Sequence, residues 1–137
     1  MEINYSYRKL NVYKYARALV LDTYHLINQF PKTEMYALSD QLRRAIVSVP
    51  SNIAEGLSRT SNKEKSHFLD IAYGSLMEAH CQLEIAVDLK YIGEEEFRII
   101  ERKIDEEAAI IAGMRKKLTD TKAGNRSDTK TASSSTL

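Results

Sequence analysis

A single cysteine, Cys81, leaves the chain no internal disulfide framework. A reducing, cytoplasmic setting is the expectation that follows. Two prolines and five glycines are too few for a turn-rich β protein, and tryptophan is absent. Long apolar runs are missing as well. The longest uncharged stretches fall far short of a membrane span, so no membrane partner is expected. The opening "MEINYSYRKLNVYKYAR" mixes charges with tyrosines and has no apolar centre, so no signal peptide is expected. Excess charge of one sign is also lacking. Residues 1–118 carry 17 Lys plus Arg against 17 Asp plus Glu. A protein that binds nucleic acid over its whole surface is usually clearly basic. Any RNA or DNA contact must therefore use a local patch.

What remains is enough for one domain with a real core: 137 residues, 43% of them hydrophobic and 28% charged. Four apolar series recur at helical spacing. The first runs Val12, Ala16, Leu19, Val20, Thr23, Ile27, Phe30 and is stopped by Pro31. The second runs Leu38, Leu42, Ala45, Ile46, Val49, Ile53, Leu57. Ser61 and Glu64 have capping-box spacing and mark a fresh start. The third series follows as Phe68, Leu69, Ala72, Leu76, Ala79, Leu83, Ala86, Val87, and Gly93 is its expected C-terminal cap. Glu94, Glu95 and Glu96 suit the positive end of a new helix, and Arg115, Lys116 and Lys117 suit its negative end. Between them run Phe97, Ile100, Ile104, Ala108, Ile111 and Leu118. No strand-like alternation competes.

The expected architecture is all-α: an antiparallel up-down-up-down four-helix bundle, with helix 2 kinked at Pro50. Residues 1–8 form an N-terminal lead-in and 9–118 the bundle. The Ser/Thr-rich stretch 119–137 is expected to be a flexible tail. Helix 3 carries more apolar surface than a small monomer needs. Ile71, Ile85 and Leu89 make a second stripe, displaced from the main one, with Ser75 and Gln82 between. Ile99 and Ile110 repeat the hint on helix 4. Exposed apolar patches usually mean contacts, so self-association is expected.

The stretch "RRAIVSVPSNIAEGLSR", residues 43–59, keeps its phase across Pro50. Gln41, Arg44, Ser48, Asn52, Glu55 and Arg59 fall on one side of the wheel, opposite the apolar residues. Pro50 removes a backbone donor and crowds the Ile46 carbonyl, and Ser48, Ser51 and Asn52 are the nearby groups able to compensate. Gly56 suits close approach of another backbone. Two readings of this stripe stand open. One is a solvated face with local salt bridges, and the other an ordered polar network between helices or subunits.

"QLRRAIVSVPSNIAEGLSR" followed by "FLDIAYGSLMEAHCQLEIAVDL" resembles the four-helix-bundle family of proteins encoded in 23S rRNA intervening sequences, often labelled 23S ribosomal proteins. The resemblance spans roughly residues 8–118. It rests on Gln41, Arg43, Arg44, Pro50, Asn52, Glu55, Gly56 and Arg59, and on Phe68, Gly74, Glu78, Gln82 and their neighbours. The sequence departs from the pattern at Ala79-His80-Cys81. The resemblance implies a left-handed bundle, assembly as a homo-oligomer (in relatives a pentamer) and no enzymatic activity or cofactor. A looser similarity links the bundle to accessory proteins of diversity-generating retroelements, which work with a reverse transcriptase and nucleic acid. Taken with the wheel, it makes Gln41, Arg44, Asn52, Glu55, Arg59, Glu78 and Gln82 a structural polar network. In it Arg44, Glu55 and Arg59 pair with helix 3 or across a subunit contact.

Catalytic chemistry finds little support. No phosphate-binding glycine motif occurs. Glu64 and His67 have the spacing of a di-iron bundle ligand pair, but His25 and His80 lack the matching Glu, so no metal is expected. His80 and Cys81 point about 100° apart on a helix and form no nucleophile–base pair, and a buried or interfacial thiol fits Cys81 better. Tyr5, Tyr7, Tyr13 and Tyr15 are read as interface residues ahead of base-stacking ones. The candidate nucleic-acid contacts are Arg8, Lys9, Lys14, Arg17, Arg43, Lys63 and Lys65. Two functions follow: a non-enzymatic oligomeric bundle acting as an RNA-associated protein or adaptor, with RNA or a nucleic-acid enzyme as partner, or a purely structural or protein-partner module.

Overall fold

The computed structural model describes residues 2–125, and every regular element among them is helical. Helix α1 spans Asn11–Ile27, α2 Leu38–Leu57, α3 Asn62–Asp88 and α4 Glu94–Asn125. Single 3-10 turns at Ser6–Lys9 and Lys32–Glu34 precede α1 and α2. Helix α4 continues past Leu118, so the start of the expected tail, 119–125, falls inside it. The remainder of that tail, 126–137, lies outside the described residues.

The ends of the helices follow local chemistry. At the start of α3 the Ser61 hydroxyl accepts the Glu64 backbone N–H at 3.1 Å. The other end of α3 differs from expectation. Gly93 is not its cap. Lys90 takes the left-handed conformation, with φ 65°, and the Tyr91 N–H reaches back to the Ala86 carbonyl at 2.8 Å. This is a Schellman closure built on a residue with a Cβ. Gly93 instead opens α4, where its N–H donates to the Glu96 carboxylate at 3.0 Å. Gln29 donates to the same carboxylate at 2.7 Å. These two bonds, Gln29 first, hold the Glu96 pKa below the usual carboxylate value.

Helix α2 is one helix through Pro50. Ser51 Oγ donates to the Val47 carbonyl at 2.9 Å, and Asn52 Nδ2 to the Ser48 carbonyl at 2.8 Å. These bonds go to the two carbonyls that follow the Ile46 carbonyl, the one that Pro50 deprives of its N–H donor.

All four helices contribute to a single core. Val12, Ala16 and Leu19 from α1 meet Leu42, Ile46, Val49 and Ile53 from α2. Leu69, Ala72, Leu76, Leu83 and Ala86 from α3 complete it with Ile100, Ile104 and Ile111 from α4. The α2–α3 contact is the most extensive. At its closed end Gly56 is buried against α3. A Cβ there would stand 2.7 Å from Phe68 Cβ and 3.4 Å from the Lys65 carbonyl.

Cross-helix pairs give the relative directions. Gln29 meets Glu96 and Asp22 meets Lys103, so α1 and α4 run in opposite senses. Gln41 meets Gln82 and Ser48 meets Ser75, which opposes α2 and α3. Asp70 meets Arg115 and His80 meets Glu101, which opposes α3 and α4. The N-termini of α1 and α3 therefore share one end of the bundle with the late turns of α4.

Candidate interaction surfaces

The polar stripe of α2 divides into parts with different environments. On the α2–α3 seam the Ser48 and Ser75 hydroxyls lie 2.8 Å apart, and Asn52 Nδ2 also reaches Ser48 Oγ at 2.8 Å. About two turns away, Gln82 Nε2 donates to Gln41 Oε1 at 3.4 Å and to Glu78 Oε2 at 3.3 Å. Gln41, Asn52, Glu78 and Gln82 thus lie on one seam, with Ser48 and Ser75 as its centre.

Arg44, Glu55 and Arg59 do not join it within the chain. Arg44 pairs with Asp40 at 3.0 Å, its side chain 79% exposed. Arg59 pairs with Glu55 at 2.8 Å, also in solvent, and its guanidinium lies 4.9 Å over the Phe68 ring. Arg44 finds its carboxylate one turn away on α2, and Arg59, just past the end of α2, reaches back to Glu55; each costs less desolvation than crossing to α3. The pairing of these three with Glu78 or Gln82 is therefore corrected to local, solvated ion pairs. Such pairs are worth at most about 1 kcal/mol.

The seven candidate nucleic-acid contacts do not form one patch. Arg8, Lys9, Lys14 and Arg17 lie at the start of α1, and Lys63 and Lys65 in the first turn of α3, at the same end of the bundle. Arg43 lies near the start of α2, about 20 Å along that helix from its C-terminal end. There it donates to the Met35 carbonyl at 3.1 Å. Arg8 and Arg17 rest on Tyr5 and Tyr13, at 5.2 and 5.8 Å from the ring centroids. Tyr7 bridges Tyr5 and Tyr13 edge to face. These rings are already engaged by the chain's own cations and by each other. Tyr15 is exposed.

The fold adds cations that the linear reading had assigned only to a helix dipole. Lys116 and Lys117 of α4 are exposed at the same end as Lys9, Lys63 and Lys65. Among the described residues none of these five lysines is in a salt bridge. Arg115 is drawn in, 2.9 Å from Asp70 and 4.7 Å over Tyr73. The opposite end gathers Glu34, Glu84, Asp88 and the Glu94–Glu96 run. A formally neutral body is thus polarised along its axis. The signal was present in the sequence, as basic starts to helices 1 and 3 and a basic run late in helix 4, and needed only the topology.

Among the described residues, two stretches of open apolar surface stand out. A cleft of about 630 Å³ lies between α1 and α2, lined among others by Lys14, Arg17, Leu21, Val47, Pro50 and Ala54. Leu21 is 72% exposed. On α3, Ile71, Ile85 and Leu89 are each about two-fifths to one-half exposed, as the second stripe foretold. Cys81 is exposed beside them, so it is not a buried thiol.

The interior holds a carboxyl that the sequence reading missed. Glu107 on α4 is fully buried, and neither oxygen has a partner among the described residues. Burial first, and the Glu106 charge second, push its pKa up to about 8. It lies one helical step, i+3, beyond Ile104 on the core register, which was the signal available. His80 Nε2 lies 2.8 Å from Glu101 Oε2, within hydrogen-bond distance, and the ring leans on Phe97. Glu64 and His67 take up capping and a T-shaped contact with Phe68.

The family model for the 23S rRNA-intervening sequence protein matches residues 8–113. The chain belongs to that family. Among solved structures it is similar to a 1.70 Å crystal structure from Bacteroides thetaiotaomicron, described as a protein of unknown function from the S23 ribosomal protein family. That similarity has a TM-score of 0.71 at 21% identity and covers 77% of this chain and 98% of the other. It supports the fold. No match was found among curated proteins. No helix among the described residues is long and apolar enough to cross a membrane.

Proposed function

We propose that this member of the family is a non-enzymatic, self-associating bundle that acts as an RNA-associated protein or adaptor. The observation that carries the RNA part is axial charge segregation. Lys9, Lys63, Lys65, Lys116 and Lys117 lie at one end, and carboxylates crowd the other. A lysine cluster free of carboxylate partners attracts phosphate by releasing condensed counterions. Repeating that end on each subunit of an assembly raises a weak single-site affinity through multivalency. Self-association is supported by apolar side chains left exposed on α1, α2 and α3.

The test is fluorescence anisotropy with a structured rRNA fragment and an unrelated RNA, across a salt series. The expected result is binding that falls steeply with salt and differs little between the RNAs, because phosphate contacts carry little sequence information. Lys9→Glu with Lys63→Glu should weaken both and flatten the slope. No binding at low salt would contradict the RNA reading. The second reading, a structural or protein-partner module, draws on one observation: Arg8 and Arg17 lie on the chain's own tyrosines.

A further inference from the structure

The two open apolar features carry opposite charge. From Ile3 to Leu21 the chain has no Asp or Glu, and the α1–α2 cleft presents Lys14 and Arg17 beside Leu21, Val47 and Pro50. From Ser66 to Leu89 the chain has no Lys or Arg. The exposed stripe of α3 there carries Asp88 and Glu78, the latter at the outer, solvent-facing edge of the α2–α3 seam, among Ile71, Ile85 and Leu89. Residues 71, 78 and 85 are spaced by sevens, so they share one face, and Asp88 follows Ile85 by one turn.

A concave apolar surface edged by cations and a convex apolar stripe edged by carboxylates are complementary in shape, polarity and charge. They lie on different faces of the same bundle, so one chain cannot satisfy both by itself. We propose that the α1–α2 cleft receives the outer stripe of α3 from a second copy of this chain, with Lys14 and Arg17 facing Glu78 and Asp88. The inference rests on the self-association proposed above and names its surface. The contact is heterologous, using different patches on the two copies, and repeats around a ring or along a filament.

Four proteins test it, each first checked for helical content by circular dichroism and then weighed by light scattering at micromolar concentration. They are the wild type; a cleft variant, Lys14→Glu with Arg17→Glu; a stripe variant, Glu78→Lys with Asp88→Lys; and the fourfold variant combining them. All four positions are exposed. Wild type should assemble. Each double variant places like charges together and should dissociate, with a dissociation constant raised roughly a hundredfold or more. The fourfold variant restores opposite charges with reversed sign and should reassemble. A monomeric wild type would overturn self-association itself. An assembled wild type whose double variants keep its mass would overturn this surface and leave self-association standing. Dissociation of both double variants without rescue in a folded fourfold variant would overturn the pairing of these two faces.

Discussion

At the scale of the residue, Glu107 departs furthest from what a core tolerates. An ionised carboxylate without partners is expensive to bury, so the group stays protonated in the fold at neutral pH. Its pKa of about 8, against an ordinary 4.5, means that the folded chain holds one proton more than the unfolded chain between those values. Stability therefore falls as pH rises through that window and is unaffected below it. Glu107→Gln should remove this slope, so that its effect on stability is more favourable at pH 7 than near pH 4 by about 1–3 kcal/mol. Urea denaturation at both pH values checks it, and equal effects at the two would contradict the assignment. Lys90 is the second costly residue, because a side chain at positive φ crowds the next carbonyl. Lys90→Gly should raise stability by roughly 0.5–1 kcal/mol, read as a shift of the denaturation midpoint. The sequence suggested a glycine cap at Gly93. It could not show that the chain turns three residues earlier, because Lys90 carries no local signature of the left-handed region. Arg44, Glu55 and Arg59 were legible as a stripe. Which carboxylate each would choose depended on tertiary distances that a wheel does not contain.

The helices themselves were largely legible. Their apolar periods, the Ser61 cap and the stop at Pro31 reflect local physics, and the apolar series reappear in the core. What local pattern could not decide was where α4 ends, since polar residues 119–125 continue a helix that propensity alone supports weakly. The tightest element contact is predicted by a residue with no side chain. Gly56 lets α2 approach α3 so closely that an added methyl meets Phe68 Cβ, an atom fixed to the backbone. Gly56→Ala gains about 1 kcal/mol of helix propensity, but overpacking at this seam costs more. A net loss of about 1–2 kcal/mol is expected by thermal or urea unfolding. A stabilised variant would show that the two helices separate easily there. Gly74 offers the contrast, because a Cβ there meets nothing within 4 Å.

For the molecule as a whole, near-zero net charge hid its organisation. The balance of 17 basic and 17 acidic residues over 1–118 comes from two ends of opposite sign, and it became visible only when the cross-helix pairs gave the helix directions. The excess apolar arc of α3 was readable as a need for a partner, and the exposed Ile71, Ile85 and Leu89 retain that need in the single chain. The matching cleft was not readable, because it depends on how two helices are placed against each other, which a helical wheel does not contain. Burying these surfaces against other copies is the step on which the account turns, since multivalent display of the basic end depends on it. The most direct measurement is the solution mass of the purified wild-type chain by light scattering across the micromolar range. A particle several times the 15.6 kDa chain mass, stable over that range, is the expected result. A monomer mass at every concentration would contradict it.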